Sequence, residues 1–151
     1  MKNITPCLWF DTNAEEAVDY YIDIFPNSEI TQVTLYPEGT EHMPPGSVLT
    51  ISFSLNGNPM LALNGGPAFT FSEGVSLMVD CDSQEEIDHY WGKLGSGGSE
   101  MACGWLKDRF GLAWQIVPAK FMSMIDSSDP ETAARVLAAM NTMIKFDLAG
   151  I

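Results

Sequence analysis

The sequence is short of cations and of side chains that form disulfides or hold metals, and each shortage closes off a class of function. Seven Lys and Arg stand against 20 Asp and Glu, a formal net charge of −13 at neutral pH. A surface that acidic repels phosphate backbones and anionic lipid, so no nucleic acid and no membrane is expected as a partner. The three cysteines, Cys7, Cys81 and Cys103, are an odd number without C-x-x-C spacing, which argues against a disulfide framework and a structural zinc site. The opening stretch Met1–Pro6 has one basic residue, no long apolar run and no small-residue cleavage site. It reads as neither signal peptide nor membrane anchor. A reducing cytoplasm is the expected compartment.

What is present is enough to build a core. Hydrophobic residues make up 46% of the 151, with 8 Phe, 4 Trp and 4 Tyr among them, so disorder is not expected, and the length fits one domain or two half-domains sharing a core. The stretch Ile4–Phe10 reads as a strand, with Ile4, Leu8 and Phe10 on one face and Thr5, Cys7 and Trp9 on the other. Asn13 and Glu16 have the spacing of a capping box. It opens a helix whose stripe is Ala14, Ala17, Val18, Tyr21 and Phe25, and Pro26 stops it. Strands are expected at Glu29–Tyr36, Gly46–Leu55 and Met60–Asn64, the last two joined by the turn Asn56–Pro59.

The order then repeats. Val75–Val79 is a strand, and Ser83 with Glu86 is a second capping box that opens a helix striped by Ile87, Tyr90, Trp91 and Leu94. A shift of 70 carries Glu15-Glu16 onto Glu85-Glu86, Tyr21 onto Trp91 and Ile24 onto Leu94. The same shift lays the first strand on Gly74–Asp80. Gly95–Gly98 is a flexible connector, lacking the strand and helix context of a phosphate loop. Strands follow at Met101–Lys107 and Leu112–Val117, around the turn Asp108–Gly111. A third helix, capped by Asp129 with Pro130 at its first position, has the stripe Ala133, Val136, Leu137, Met140 and Ile144. It has no counterpart in the repeat and is expected to cover the sheet or to pack on a second subunit. The expected class is α+β, with two βαβββ halves over residues 1–66 and 72–118 and a helical segment over 119–151.

Two stretches carry a family resemblance. One is Thr5–Asp11 followed by Ala14-Glu15-Glu16-Ala17. The other is Cys103–Gln115, and Leu61–Gly66 adds to them. The chain resembles the PhnB-like branch of the vicinal oxygen chelate (glyoxalase/bleomycin resistance/dioxygenase) superfamily, a branch often labelled 3-demethylubiquinone methyltransferase-like. The resemblance implies one domain over 1–151 with a curved mixed sheet and a cleft, in the glyoxalase/dihydroxybiphenyl dioxygenase-like fold, and it implies a homodimer. The methyltransferase label lacks support in the residues, because a capped helix follows the first strand where a glycine-rich loop and a doubly wound sheet would be needed.

Members with a metal carry ligands at four sites, usually His on the first strand of each half and Glu on the last. Strand matching puts these near Thr5, Ala62 or Asn64, Gly74, and Gln115, where Asp108-x-x-Gly111-x-x-x-Gln115 ends in glutamine instead of glutamate. A divalent metal needs about three or four imidazole, thiolate or carboxylate donors. No metal and no cofactor are therefore expected. His42, in a loop, and His89, on the polar side of the second helix, are not placed to substitute.

Alternation gives the expected cleft lining. From the first half come Cys7, Trp9, Ser52, Ser54, Met60, Ala62 and Asn64. From the second come Ser76, Met78, Cys103, Trp105 and Gln115. Of these, Cys7, Trp9, Asn64, Met78, Cys103, Trp105 and Gln115 are the candidate ligand contacts. Trp114 is expected to face the helices, and Lys107-Asp108-Arg109 to pair as a salt bridge at the turn. The mixture suits a planar or apolar small molecule. Two alternatives remain open: an enzyme of small-molecule metabolism using Cys103, Gln115 or Asn64, and an interaction module with a vestigial cleft. No catalytic residue is assigned.

Overall fold

Alternation and capping set most of the architecture. The computed structural model describes residues 2–41 and 43–151; Met1 and His42, the latter expected in a loop, lie outside the described residues. The chain divides into two compact units, Met1–Thr70 and Phe71–Ile151.

The first unit runs β1 (Cys7–Phe10), α1 (Ala14–Ile24), β2 (Glu29–Leu35), β3 (Val48–Leu55) and β4 (Asn58–Asn64). Its sheet has the order β1-β4-β3-β2, with β1 parallel to β4 and the other pairs antiparallel. Helix α1 buries Ala14, Ala17, Val18, Tyr21 and Ile24 and packs on β3 and β4. Beneath it lie Leu8, Phe10, Ile51, Phe53 and Leu55, all buried. Burying each large apolar side chain there contributes about 1.5–3 kcal/mol. Ile4 does not join this row: β1 begins only at Cys7, and Ile4 is 97% exposed.

The hairpin turn corrects one expectation. It is the two-residue loop Asn56-Gly57, with φ of 48° and 80°, the left-handed pair of a type I′ turn. Asn58 and Pro59 are already strand, so Leu55 faces Asn58, Phe53 faces Met60 and Ile51 faces Ala62. Directly opposed residues share a face. Met60, Ala62 and Asn64 therefore lie with the apolar row under the helix, not with Ser52 and Ser54, and all three are buried. Strand β2 is the sheet edge, exposed along its length and broken by two register shifts.

The second unit repeats the topology with β5 (Ser76–Cys81), α2 (Gln84–Gly95), β6 (Ser99–Glu100), β7 (Trp105–Lys107) and β8 (Ala113–Pro118), in the order β5-β8-β7-β6. Ile87, Trp91 and Leu94 of α2 are buried, as are Leu106, Trp114 and Ile116 of the sheet. Trp114 thus faces the helix side. The two helices begin differently. Ser83 Oγ accepts from Glu86 N at 3.2 Å, and Glu86 Oε2 accepts from Asp82 N at 2.6 Å, a capping box whose return bond falls one residue early. Asn13 occupies the equivalent position without a side-chain cap bond. The acceptor comes instead from Asn64 Oδ1, 2.9 Å from Ala14 N.

The connectors explain a second correction. Three residues, Asp11-Thr12-Asn13, separate β1 from α1, whereas two, Asp82-Ser83, separate β5 from α2. Both strands end on a buried residue, Phe10 and Cys81. The helices therefore correspond at a shift of 70 and the strands at 71, so Thr5 corresponds to Ser76, not to Gly74 or its neighbour Val75.

The expected strand Met101–Lys107 is broken at Cys103 and Gly104, whose φ values are 60° and 77°. A short helix not foreseen in the sequence, α3 (Phe121–Ile125), precedes α4 (Pro130–Asn141). Asp129 caps α4 by accepting from Glu131 N at 3.2 Å. Val136 and Met140 are buried, while Leu137 and Ile144 are exposed and Ile144 lies beyond the helix. The tail after α4 is stitched to the broken strand: Met143 O and Ile144 O accept from Cys103 N and Gly104 N, each at 2.8 Å. Gln84 clasps it from the side, donating to Phe146 O at 3.0 Å and accepting from Leu148 N at 2.9 Å. Among the described residues no helix is long and apolar enough to cross a membrane.

Candidate functional site

Each sheet has one face under its helix and one face turned away from it, and the registers assign the second face residue by residue. In the first unit two rows cross the sheet. One is Cys7, Leu61, Ser52 and Gln32; the other is Trp9, Leu63, Thr50 and Thr34. Leu61 and Leu63 are the members that alternation alone missed. The parity of a two-residue Asn-Gly loop was the signal that could have found them. Trp9 is held in place. Its ring covers Gly65, where an added Cβ would come within 2.4 Å of it, and its N–H donates to Gly66 O at 2.9 Å. Phe69 meets its ring edge-on, with centroids 5.0 Å apart. Cys7 is exposed, yet neighbouring protein desolvates its thiol enough to raise the pKa.

Asn64 leaves the set of ligand contacts. It is 3% exposed, and besides the bond from Ala14 its Nδ2 donates to Glu15 Oε1 at 2.6 Å and Val48 O at 3.1 Å. Its own carbonyl accepts from the Tyr36 hydroxyl. The side chain is committed to holding α1, β3 and β4 together.

In the second unit the rows are Lys107, Ala113 and Ser76, then Trp105, Gln115 and Met78, then Val117 and Asp80. The structure therefore gathers four of the expected residues, Ser76, Met78, Trp105 and Gln115, on one face. Met78 is 50% exposed and Trp105 and Gln115 are half-buried. Gln115 Nε2 donates to Ser76 Oγ at 2.9 Å. Three of the four indoles are committed: Trp9 to Gly66, Trp91 to Glu100 and Trp114 to Asp108, each at 2.9 Å. Among the described residues, the N–H of Trp105 has no hydrogen-bond partner.

Cys103 does not join this face. It sits in the left-handed turn under the C-terminal tail, and its thiol donates to Asn141 Oδ1 at 3.5 Å. Burial and the carboxylates of Glu86, Asp80 and Asp82 push the Cys81 thiol up to about 12. Among the described residues no cysteine bonds to a histidine. Asp108 is 3% exposed and accepts from Phe110 N at 2.8 Å and Leu112 N at 3.1 Å as well as from Trp114. Lys107 pairs with Glu73, and Arg109 Nε donates to Ser96 O at 3.3 Å. His89 lines a shallow groove of about 400 Å³ with Glu85, Glu86 and Tyr90 of α2 and its N-cap Ser83.

With the corrected shift, the first-strand metal positions of the resemblance are Thr5 and Ser76. Gln115 stands opposite Met78, and Leu61 stands in the corresponding place opposite Cys7. In neither unit do these positions carry the imidazole or carboxylate donors that a divalent cation needs. Among the described residues no three His, Cys, Asp or Glu side chains gather to hold a metal.

Comparison with known proteins adds an independent line. The family described as 3-demethylubiquinone-9 3-methyltransferase matches residues 2–117. A PhnB protein from Bacillus cereus is 33% identical, with a TM-score of 0.71 over 78% of this chain and 100% of its own. Protein PA1353 from Pseudomonas aeruginosa is 23% identical, with a TM-score of 0.59 over 77% of this chain and 96% of its own. The fosfomycin resistance protein FosX from Listeria monocytogenes is 15% identical, with a TM-score of 0.51 over 77% and 91%. The last two likenesses are of fold alone. No curated protein matches.

Proposed function

The chain belongs to the 3-demethylubiquinone-9 3-methyltransferase (PhnB-like) family, and from that premise we propose that it binds a small organic molecule without a divalent metal. The observation that carries this reading is the helix-free face of the second sheet. There an uncommitted indole N–H, a glutamine amide and a half-exposed methionine stand in one row across β7, β8 and β5. Such a row offers apolar contact to a planar body and a few directed hydrogen bonds to fix it. It offers no nucleophile–base pair, which favours binding over catalysis. The methyl transfer in the family's name gains no support from the topology, since neither sheet is doubly wound and no glycine-rich loop follows β1 or β5.

The protein is further proposed to act in the cytoplasm as a homodimer, for which the exposed Leu137 and Ile144 near the end of α4 supply apolar surface. Native mass spectrometry on protein purified without chelator tests the oligomeric state and the metal-free binding together. Dimers that retain an organic mass and no metal are expected. One stoichiometric transition metal per chain would overturn the metal-free reading.

A further inference from the structure

Of the seven Lys and Arg in the sequence, Lys107 is the one that the strand registers place on a helix-free sheet face. It stands two residues along β7 from Trp105, so their side chains rise from the same face about 7 Å apart. At the other end of that face, beyond Met78 on β5, stands Asp80. The face is therefore polarised, with a cation at one end, an anion at the other and the uncharged row of Trp105, Gln115 and Met78 between them.

Lys107 is neutralised by Glu73, from the irregular stretch that precedes β5. Both partners are substantially exposed, at 32% and 50%, and an exposed ion pair contributes about 0–1 kcal/mol. Exchanging the Glu73 carboxylate for another anion is thus nearly free, and it leaves no charge buried without a partner. The Lys107 ammonium lowers the pKa of Glu73, chiefly through its hydrogen bond, so Glu73 is the ionised group that an incoming anion must replace.

We propose that the ligand of the second sheet's free face is a planar organic acid, its acidic group taken by Lys107 in exchange for Glu73 and its ring laid on Trp105 and Met78 over Gln115. This rests on the binding reading above and specifies the ligand class. Asp80 sets the orientation, because an acid bound the other way round would meet a carboxylate. Trp105 N–H and Gln115 serve acceptors on the ring.

The test uses two fluorescent probes on the full chain. 1-Anilinonaphthalene-8-sulfonate carries an acidic group on a planar body, and N-phenyl-1-naphthylamine has the same body without it. The sulfonate is expected to bind about tenfold more tightly. Lys107→Gln removes that advantage and leaves the neutral probe unmoved, Glu73→Gln tightens the sulfonate severalfold, and Trp105→Ala weakens both. Equal affinity for the two probes, with Lys107→Gln moving neither, overturns the acid-binding inference while the binding face stands. Failure of Trp105→Ala to move either probe overturns the binding reading and the inference with it. Lys107 and Glu73 are surface residues, so these variants fold.

Discussion

Two buried polar side chains carry more of the fold than their neighbours do. Asn64 supplies the helix cap that Asn13 does not, and it also satisfies Val48 O and Glu15. Asn64→Ala is expected to cost on the order of 2–3 kcal/mol, a lost cap plus buried groups left unpaired, read as a lower urea midpoint with unchanged slope. Asp108 is an acceptor on every side, from two backbone N–H groups and the indole of Trp114. Asp108→Asn keeps the shape but turns an NH₂ toward one of those donors, at a cost of about 1–3 kcal/mol that chemical denaturation would register. Neither role was legible beforehand. Asp108 was visible as a turn residue, but its bond to an indole six positions on depends on how β8 leaves the turn. Alternation places Asn64 in the cleft lining, and only the meeting of the end of β4 with the start of α1 shows what it caps. Trp105 and Gln115 could be read from alternation, because β7 and β8 are regular where those residues lie.

Between elements, the most consequential junction is the C-terminal tail against the break at Cys103-Gly104. Gly104 is required twice over: its φ is 77°, and an added Cβ would lie 2.4 Å from the Phe146 ring and 2.8 Å from Ile116 O. Gly104→Ala therefore combines left-handed strain of about 1–2 kcal/mol with expulsion of Phe146. Hydrogen exchange is expected to show residues 143–148 losing protection before either sheet does. Lys145 fastens the same tail to Asp88 at 2.6 Å, and the Asp88 carboxyl is lowered by that bond and by Gln84. A depressed carboxyl stabilises the folded form above its unfolded pKa and loses that contribution as pH falls through the lowered value. The protection factor of the Leu148 amide, taken relative to its intrinsic exchange rate, should thus fall on acidification below the ordinary aspartate range, and Lys145→Ala should flatten that dependence. Hydrophobic periodicity located α1, α2 and α4. It could not reveal the break in the strand before β7, where the run Met101–Lys107 gives no hint that the tail inserts its carbonyls there.

For the molecule as a whole, duplication was the most legible feature, because capped helices at a fixed spacing are a local signal and both copies form. Charge is the other global property. At −13 the folded chain repels itself, so added salt should raise the melting temperature between low and physiological ionic strength by screening that repulsion. Calorimetry across a sodium chloride series would measure this, and a falling melting temperature would contradict it. The single residue by which the connectors differ, three before α1 and two before α2, has a further consequence for ancestry and engineering. Once the two copies differed by one position there, modules could no longer be exchanged at the strand ahead of that point. A chimera that grafts Ser76–Cys81 onto the first helix by the helix numbering would turn Met78 inward and Val79 outward. Recombination between the halves is in phase only at the helices, which leaves each strand free to specialise its own surface.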